Sequence, residues 1–415
     1  SLVGSEMCIR DRNIIHTIEE HGFKAYAVGG CIRDSILGRN PDDWDITTSA
    51  VPSQIKTFFK RTVDTGIAHG TVTIMIDKTG YEVTTYRIDG EYEDGRHPKS
   101  VEFSDRLVDD LCRRDFTINA MAYNDTDGFV DEFKGLDDLD TKIIRCVGEP
   151  ELRFTEDALR MMRAIRFSAQ LGFTIDEATW NAIKKLSPSI SKISMERVHV
   201  ELGKTLMSAH PDYVAQYSEA GLFAPILPVI DNALKSRYKR KILATLQHTP
   251  DNIYLRYAAL FITSTPDEAA KTLRALKLDN KTVNTVSKLV ELSKMDIEET
   301  EPAVRTALNK YGRDFLPLWH ELMIAVIQAS EDITGISNPA KVKHLLTLKR
   351  LGTDILARGD CFTIKDLDIS GNDLIEYGLQ GHEIGETLKS LLDIVIENPK
   401  LNDKATLIAM IEHIK

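Results

Sequence analysis

Two hydrophobic rhythms divide this chain. Up to about residue 150, short apolar runs of β type alternate with helical periods; from Thr155 onward nearly every apolar position recurs at the helical spacing. The first stretch predicts a helix over Ile14–Glu20, a strand over 24–28 and one or two helical turns over Cys31–Leu37. A strand over Asp45–Thr48 and a helix over Pro52–Lys60 follow. Gly70–Ile76 and Tyr81–Arg87 pattern as a hairpin about Asp77-Lys78-Thr79-Gly80. Residues 130–133 and 142–147 are weaker strand candidates. Thr155, ahead of Glu156 and Asp157, has the chemistry of a helix N-cap, and that helix should run to Leu171 and stop at Gly172. Glu177–Leu186 and Met195–Ser208 repeat the period. The first twelve residues, SLVGSEMCIRDR, show none and read as an extraneous leader. The fold class predicted is α+β: a small mixed α/β head with a β-sheet, then an elongated all-helical remainder.

Length and charge narrow the function. At 415 residues the chain should hold two or more domains. No apolar run approaches the ~20 residues of a membrane-spanning helix, and no secretory signal is visible. Five cysteines without a C-x-x-C pair suit reduced thiols in a cytoplasmic protein. A net charge of −11 argues against a bulk electrostatic grip on nucleic acid. Any RNA contact must come from local basic patches. The candidates are Lys235, Arg237, Lys239, Arg240 and Lys241, and further on Lys341, Lys343, His344, Lys349 and Arg350.

The densest chemistry lies in VGGCIRDSILGRNPDDWDITTS, Val28–Ser49. Gly29 and Gly30 between a strand and a helix start would let backbone N–H groups face an anion. Asp43 and Asp45, at i and i+2 on a strand, would share a face and could share a divalent metal. Metal beside a phosphate cradle is the setting of phosphoryl and nucleotidyl transfer. A lone D-x-D is ordinarily solvated surface; order, spacing and residue type together make this one specific. The stretch resembles the head motif of the tRNA CCA-adding and bacterial poly(A) polymerase nucleotidyltransferases, the bacterial class II type: Gly-Gly, R-D, L-G, then D-x-D and I-x-T.

Further segments extend the resemblance over about residues 13–415. YEVTTYR, Tyr81–Arg87, offers Glu82 as a third acidic group, or as a cross-strand surface residue. The polar stretch 88–100 should be mobile; the family carries here a flexible loop needed for the final A. In DDLCRRDFTINAMAYN, Asp109–Asn124, Arg113 and Arg114 are expected to open a helix whose apolar side is Phe116, Ile118, Met121 and Ala122. The resemblance implies that Arg114 contacts the nucleotide and that Asn119 touches ribose or a nearby loop. In EDALRMMRAIRF, Asp157, Arg160, Arg163 and Arg166 fall close to one helical stripe. This matches the family's E-D-x-x-R, an amino-acid template for the incoming base. MERVHVELGKTL matches E-R-V-x-x-E-L, where Glu196 and Arg197 should be structural. Asp366–Asn402 is similar to the family's tail.

An Asp–Arg edge has a defined preference. Adenine and cytosine both present an amine donor beside a ring-nitrogen acceptor, which Asp accepts from and Arg donates to. Guanine and uracil present the reverse, and each unpaired polar group costs about 1–3 kcal/mol. The resemblance therefore implies a head at 13–150, a neck at 151–210, a body at 211–325 and a tail at 326–415. It implies template-independent addition and repair of the tRNA 3′-terminal CCA from CTP and ATP. Asp43 and Asp45 would hold two Mg²⁺, Gly30 and Arg33 the phosphates. The tRNA 3′ end is the partner, and a homodimer is left open. An A-adding enzyme or poly(A) polymerase of the same family remains an alternative, as does an inactive RNA-binding protein.

Overall fold

The computed structural model describes residues 7, 9–41, 43–90 and 101–414. The chain divides into two compact units, Ser1–Pro228 and Val229–Lys415.

In the first unit, the Ile9–Glu20 helix buries Ile14, Ile15 and Ile18. It begins ahead of the regular period, so residues 9–12 of the expected leader are helical; residues 1–6 and 8 lie outside the described residues. The strands are β1 (Ala25–Val28), β2 (Ile46–Thr48), β3 (Thr62–Gly66), β4 (Thr71–Ile76), β5 (Thr79–Thr85), β6 (Arg87–Asp89), β7 (Val101–Phe103), β8 (Ala122–Asn124), β9 (Gly128–Val130), β10 (Ile143–Ile144) and β11 (Thr174–Ile175). Among the described residues, seven form one sheet in the order β3-β4-β5-β2-β1-β8-β9. Only the β2–β5 pairing in it is parallel. β1 and β2 are buried along their whole length, which is why they read as short unbroken runs rather than alternations. The hairpin is tighter than its pattern indicated: Ile76 pairs with Thr79, and Asp77 and Lys78 both take positive φ, as a two-residue type I′ turn requires. Most of β3 is exposed, so no apolar pattern announced it. β6 and β7 pair antiparallel and bracket the expected mobile loop, of which residues 91–100 lie outside the described residues.

Two expectations are corrected. Arg113 and Arg114 do not open a helix; they follow the short Leu107–Cys112 helix, and the chain then makes a single 3-10 turn at Thr117–Asn119 before entering β8. Side chains take over the local hydrogen bonding: Asp115 accepts from the Phe116 N–H at 2.9 Å, and Thr117 donates to Asp138 at 2.6 Å. Nor does Thr155 cap a helix. It lies within Pro150–Glu156, its hydroxyl bonded to the Glu151 carbonyl at 2.7 Å. The helix breaks at Asp157, which is extended (φ −144°, ψ 104°), and resumes over Leu159–Leu171. Asp157 supplies the local cap, accepting from the Leu159 N–H at 3.0 Å. Gly172 ends the second helix in the left-handed region as expected.

The second unit is built from helices, among them Lys239–His248, Phe315–Thr334 and Pro339–Arg358. Asn252, Thr265, Asp279, Thr300, Asn338 and Ser370 cap helices with their side chains. Toward the C-terminus Leu374, Leu391, Val395, Leu407 and Ile411 form a buried cluster. Among the described residues no helix is long and apolar enough to cross a membrane.

Candidate active site

Asp43, Asp45 and Glu82 line one cleft of about 580 Å³, with Asn40, Trp44 and Tyr81. Asp11, from the expected leader, lines it too. The sheet makes this meeting. Ile46 pairs with Ala27 on one side and with Val83 on the other, which places Asp45 and Glu82 beside each other just ahead of that register. The Val28 N–H donates to the Asp45 backbone carbonyl at 2.9 Å and ties the Asp45 main chain to the end of β1, just ahead of the Gly-Gly turn. The expectation that Asp43 and Asp45 share a strand face is corrected: β2 starts at Ile46, and both lie in the irregular segment before it. Loss of hydration pushes the Asp45 carboxyl above its ordinary range, and the Asp43 charge adds to this, while Arg114 pulls it down. Negative charge here is incompletely compensated. Among the described residues no group of three acidic, His or Cys side chains forms a ready metal cage. The carboxylates that face the cleft are hard oxygen donors, the kind a divalent cation takes.

Gly29 has φ 86°, and a Cβ there would lie 2.9 Å from Arg114 Nη1. Glycine is needed twice over, for the conformation and for the close approach of this guanidinium. Arg114 donates to Asp110 at 3.2 Å, and Arg113 holds the other oxygen of Asp110 at 2.7 and 3.0 Å. Burial alone would raise Asp110, but the two arginines hold it below the carboxylate range. Gly30 opens the Gly30–Ile36 helix; next to it, the buried Cys31 thiol is pushed up to about 12 by desolvation and then by Asp45, which keeps it protonated.

Arg33 is buried and already engaged. It donates to Asp34 at 2.7 and 3.0 Å and to Asn119 Oδ1 at 2.6 Å. Asn119 in turn donates to Asp115 at 3.0 Å, and Arg163 holds Asp115 at 2.6 and 2.7 Å. A continuous chain of charge-assisted bonds thus joins the Gly-Gly helix to the Leu159–Leu171 helix. Arg33, Arg163 and Arg166 converge on the Phe167 ring at 5.0, 5.3 and 3.9 Å.

Asp157, Arg160, Arg163 and Arg166 do not line the carboxylate cleft. Each has a local partner. Arg166 pairs with Glu201 at 2.6 Å. Asp157 receives two bonds from Arg197, at 2.7 and 3.2 Å. Arg160 bonds Glu156 at 2.5 Å, the Arg153 carbonyl at 3.2 Å and the Arg113 carbonyl at 2.9 Å. The counting leaves room for a base. Asp157 uses three of about four lone-pair sites, and Arg160 keeps Nε–H and one Nη2–H free of these bonds. Sequence patterning did not assign Asp110, Asp115 and Glu201 the role of holding the arginines, although each lies inside a motif already singled out. Lys239, Arg240 and Lys241 begin the Lys239–His248 helix, and Lys349 and Arg350 lie on the Pro339–Arg358 helix.

The profile described as "Poly A polymerase head domain" matches residues 25–145, and that described as "tRNA nucleotidyltransferase domain 2" matches 254–411. A CCA-adding enzyme of Limosilactobacillus fermentum is 37% identical over 404 residues, covering 96% of this chain and 94% of that protein. The chain belongs to the CCA-adding enzyme family. A solved family member, the Bacillus stearothermophilus CCA-adding enzyme in complex with CTP, superposes with a TM-score of 0.75 at 31% identity, covering 97% of this chain and 96% of that one. The Thermotoga maritima CCA-adding enzyme complexed with tRNA shares the fold, with a TM-score of 0.62 at 21% identity over 100% of this chain and 98% of that one. The mixed-sheet head and helical remainder expected from the sequence are those of the family. The head profile spans Asp43, Asp45 and Glu82 of the cleft, the Gly-Gly turn and Arg114, while Asp11 lies ahead of it.

Proposed function

We propose that this protein builds and repairs the 3′-terminal CCA of tRNA, adding CMP and then AMP from CTP and ATP without a nucleic-acid template. The observation that carries the reading is the convergence of Asp43, Asp45 and Glu82 in one cleft, with the Asp45 backbone hydrogen-bonded to Val28 immediately before the Gly29–Gly30 turn, where Arg114 stands. The tRNA 3′-oxygen attacks the α-phosphorus of the bound nucleotide, the bond to the β-phosphate oxygen breaks, and pyrophosphate leaves. Asp43 and Asp45, with Glu82, would hold two Mg²⁺, whose chemistry is Lewis-acid activation of the hydroxyl and neutralisation of the leaving group. Arg114 supplies charge to the triphosphate. Arg33 and Asn119 position the Gly30 turn. Asp157 accepts the exocyclic amine of C or A, and Arg160 donates to the ring nitrogen; Arg197 and Glu156 fix their orientation, while Arg163 and Arg166 lock the supporting helix. Residues 13–150 act as catalytic head, 151–210 as base-reading neck, and the body and tail as the tRNA grip. The site of action is the cytoplasm.

The test uses tRNA transcripts ending before the CCA, after the first C and after CC, each given one nucleotide at a time. The proposal expects C, C and A added in order, dependent on divalent cation, and no extension of a complete CCA. Addition of A alone would assign the narrower A-adding activity. Failure of every transcript to be extended would remove the reading.

A further inference from the structure

Two basic clusters that are a hundred residues apart in sequence meet in the second unit. Lys241 and Lys341, with His344 and Lys294, rim a cavity of about 610 Å³ floored by Trp319, Met323, Val326 and Ile327. A shallower groove of about 210 Å³ continues from it, sharing Lys241, Ser293, Lys294 and Val326 and ending at Tyr238. Tyr238 is 42% exposed, and Arg237 donates to its hydroxyl at 2.9 Å. Ile336, 71% exposed, and Met295 add apolar surface to the rim. A cavity of this size takes a ligand no larger than a nucleotide or two.

We infer that this groove takes an unpaired, unstacked nucleotide of the RNA substrate, its base over the apolar floor and its flanking phosphates on Lys241, Lys294 and Lys341. The inference rests on the proposed tRNA substrate. An exposed aromatic beside cations and an apolar floor is how single-stranded nucleic acid is held without base-edge readout. Lys241 and Lys294 line both the cavity and the groove while Lys341 lines the cavity alone, a spread that on an acidic chain suits a backbone running through rather than one compact triphosphate. Lys294 is anchored to the Ser264 carbonyl, and burial and the nearby Lys241 push its ammonium below the usual lysine range. His344 is held by Glu299 at 2.8 Å, so the charge on the rim rests mainly on Lys241 and Lys341.

The test is direct binding of tRNA by the full chain, read by filter retention, alongside incorporation. Val326→Trp and, separately, Ser330→Trp fill the cavity; Lys241→Gln with Lys341→Gln removes charge. Thermal melting confirms folding, and Val326→Ala controls for loss of packing. Tenfold or greater weakening of tRNA binding by both filling variants is expected, with the KM for CTP and ATP unchanged. A set of tRNAs carrying single abasic sites at unpaired positions should contain one that weakens wild type equally and loses nothing further on Val326→Trp. Filling variants that bind tRNA like wild type overturn the inference while leaving the proposed activity intact. So does filling that abolishes binding of free ATP instead, or lysine variants that weaken a fully paired RNA duplex just as much. A wild-type protein that neither binds nor extends tRNA would remove the proposed function itself.

Discussion

Asp45 carries its charge against resistance: its carboxyl is raised by lost hydration and by Asp43. Because the folded value lies above the ordinary ~3.9, the penalty is absent in acid and appears as pH rises through the carboxylate range. Asp45→Asn should therefore melt at or above the wild-type temperature at neutral pH, with the two converging in acid. Its incorporation of C and A should fall by ~100-fold or more, since even partners one step removed from a metal are worth ~10–100-fold. MgCl₂ should raise the melting temperature of wild type more than that of the variant. Equal activity would take Asp45 out of the mechanism. Asp115 is the opposite case. Burial would raise it, yet Arg163 and Asn119 hold it far below the usual range, so its stability is present at neutral pH and lost as pH falls. Asp115→Ala leaves Arg163 without its carboxylate, and breaking a buried pair costs about 3–5 kcal/mol. Denaturant titration should show that loss at pH 7 and a smaller gap below the ordinary carboxylate pKa.

At the scale of elements, legibility followed where the hydrogen bonds go. The Gly-Gly turn, the hairpin and the Gly172 stop were readable because backbone sterics decide them. The segment after Arg114 was not, because Phe116, Ile118, Met121 and Ala122 suit a helical stripe and only Asp115, Thr117 and Asn119, bonded to side chains and backbone around them, reveal a turn and strand. The break at Asp157 was invisible for a related reason: the Arg197 that holds its carboxylate is forty residues away in sequence. Asp43 and Asp45 were singled out by the motif and Glu82 by its strand, whereas Asp11, which lines the same cleft, fell in the stretch read as a leader. Of the carboxylates that hold the arginines, Asp115 and Glu201 are set by tertiary approach, while Asp110 lies three and four residues from Arg113 and Arg114. The break bears on the base reading proposed for Asp157. It turns the Asp157 carboxylate out of the helical ladder while Arg160 stays in the first turn of the next helix. Asp157→Ala should erode base choice as well as rate, raising GTP and UTP incorporation relative to CTP and ATP by ~10–100-fold, the worth of about 1–3 kcal/mol. Single-nucleotide incorporation assays measure it; uniform slowing with selectivity kept would make the Asp157–Arg197 pair purely structural.

For the whole molecule the governing quantity is charge. At −11 the protein repels RNA at long range, so substrate capture depends on where cations are placed rather than on how many there are. The helices Lys239–His248 and Pro339–Arg358 each carry such cations. Arg240, Lys349 and Arg350 are exposed and outside the groove proposed for an unpaired nucleotide, so they can act only on phosphates along the duplex or strand. Each phosphate contact releases condensed counterions and adds ~0.7–0.9 to the slope of log affinity against log salt. The triple variant Arg240→Gln, Lys349→Gln, Arg350→Gln should weaken tRNA binding and flatten that slope by about two units, measured between ~50 and ~200 mM salt. The KM for CTP and ATP should not move, because the nucleotide site proposed lies in the head. An unchanged slope would assign these side chains to solvent and leave the groove lysines as the cationic grip of the second unit.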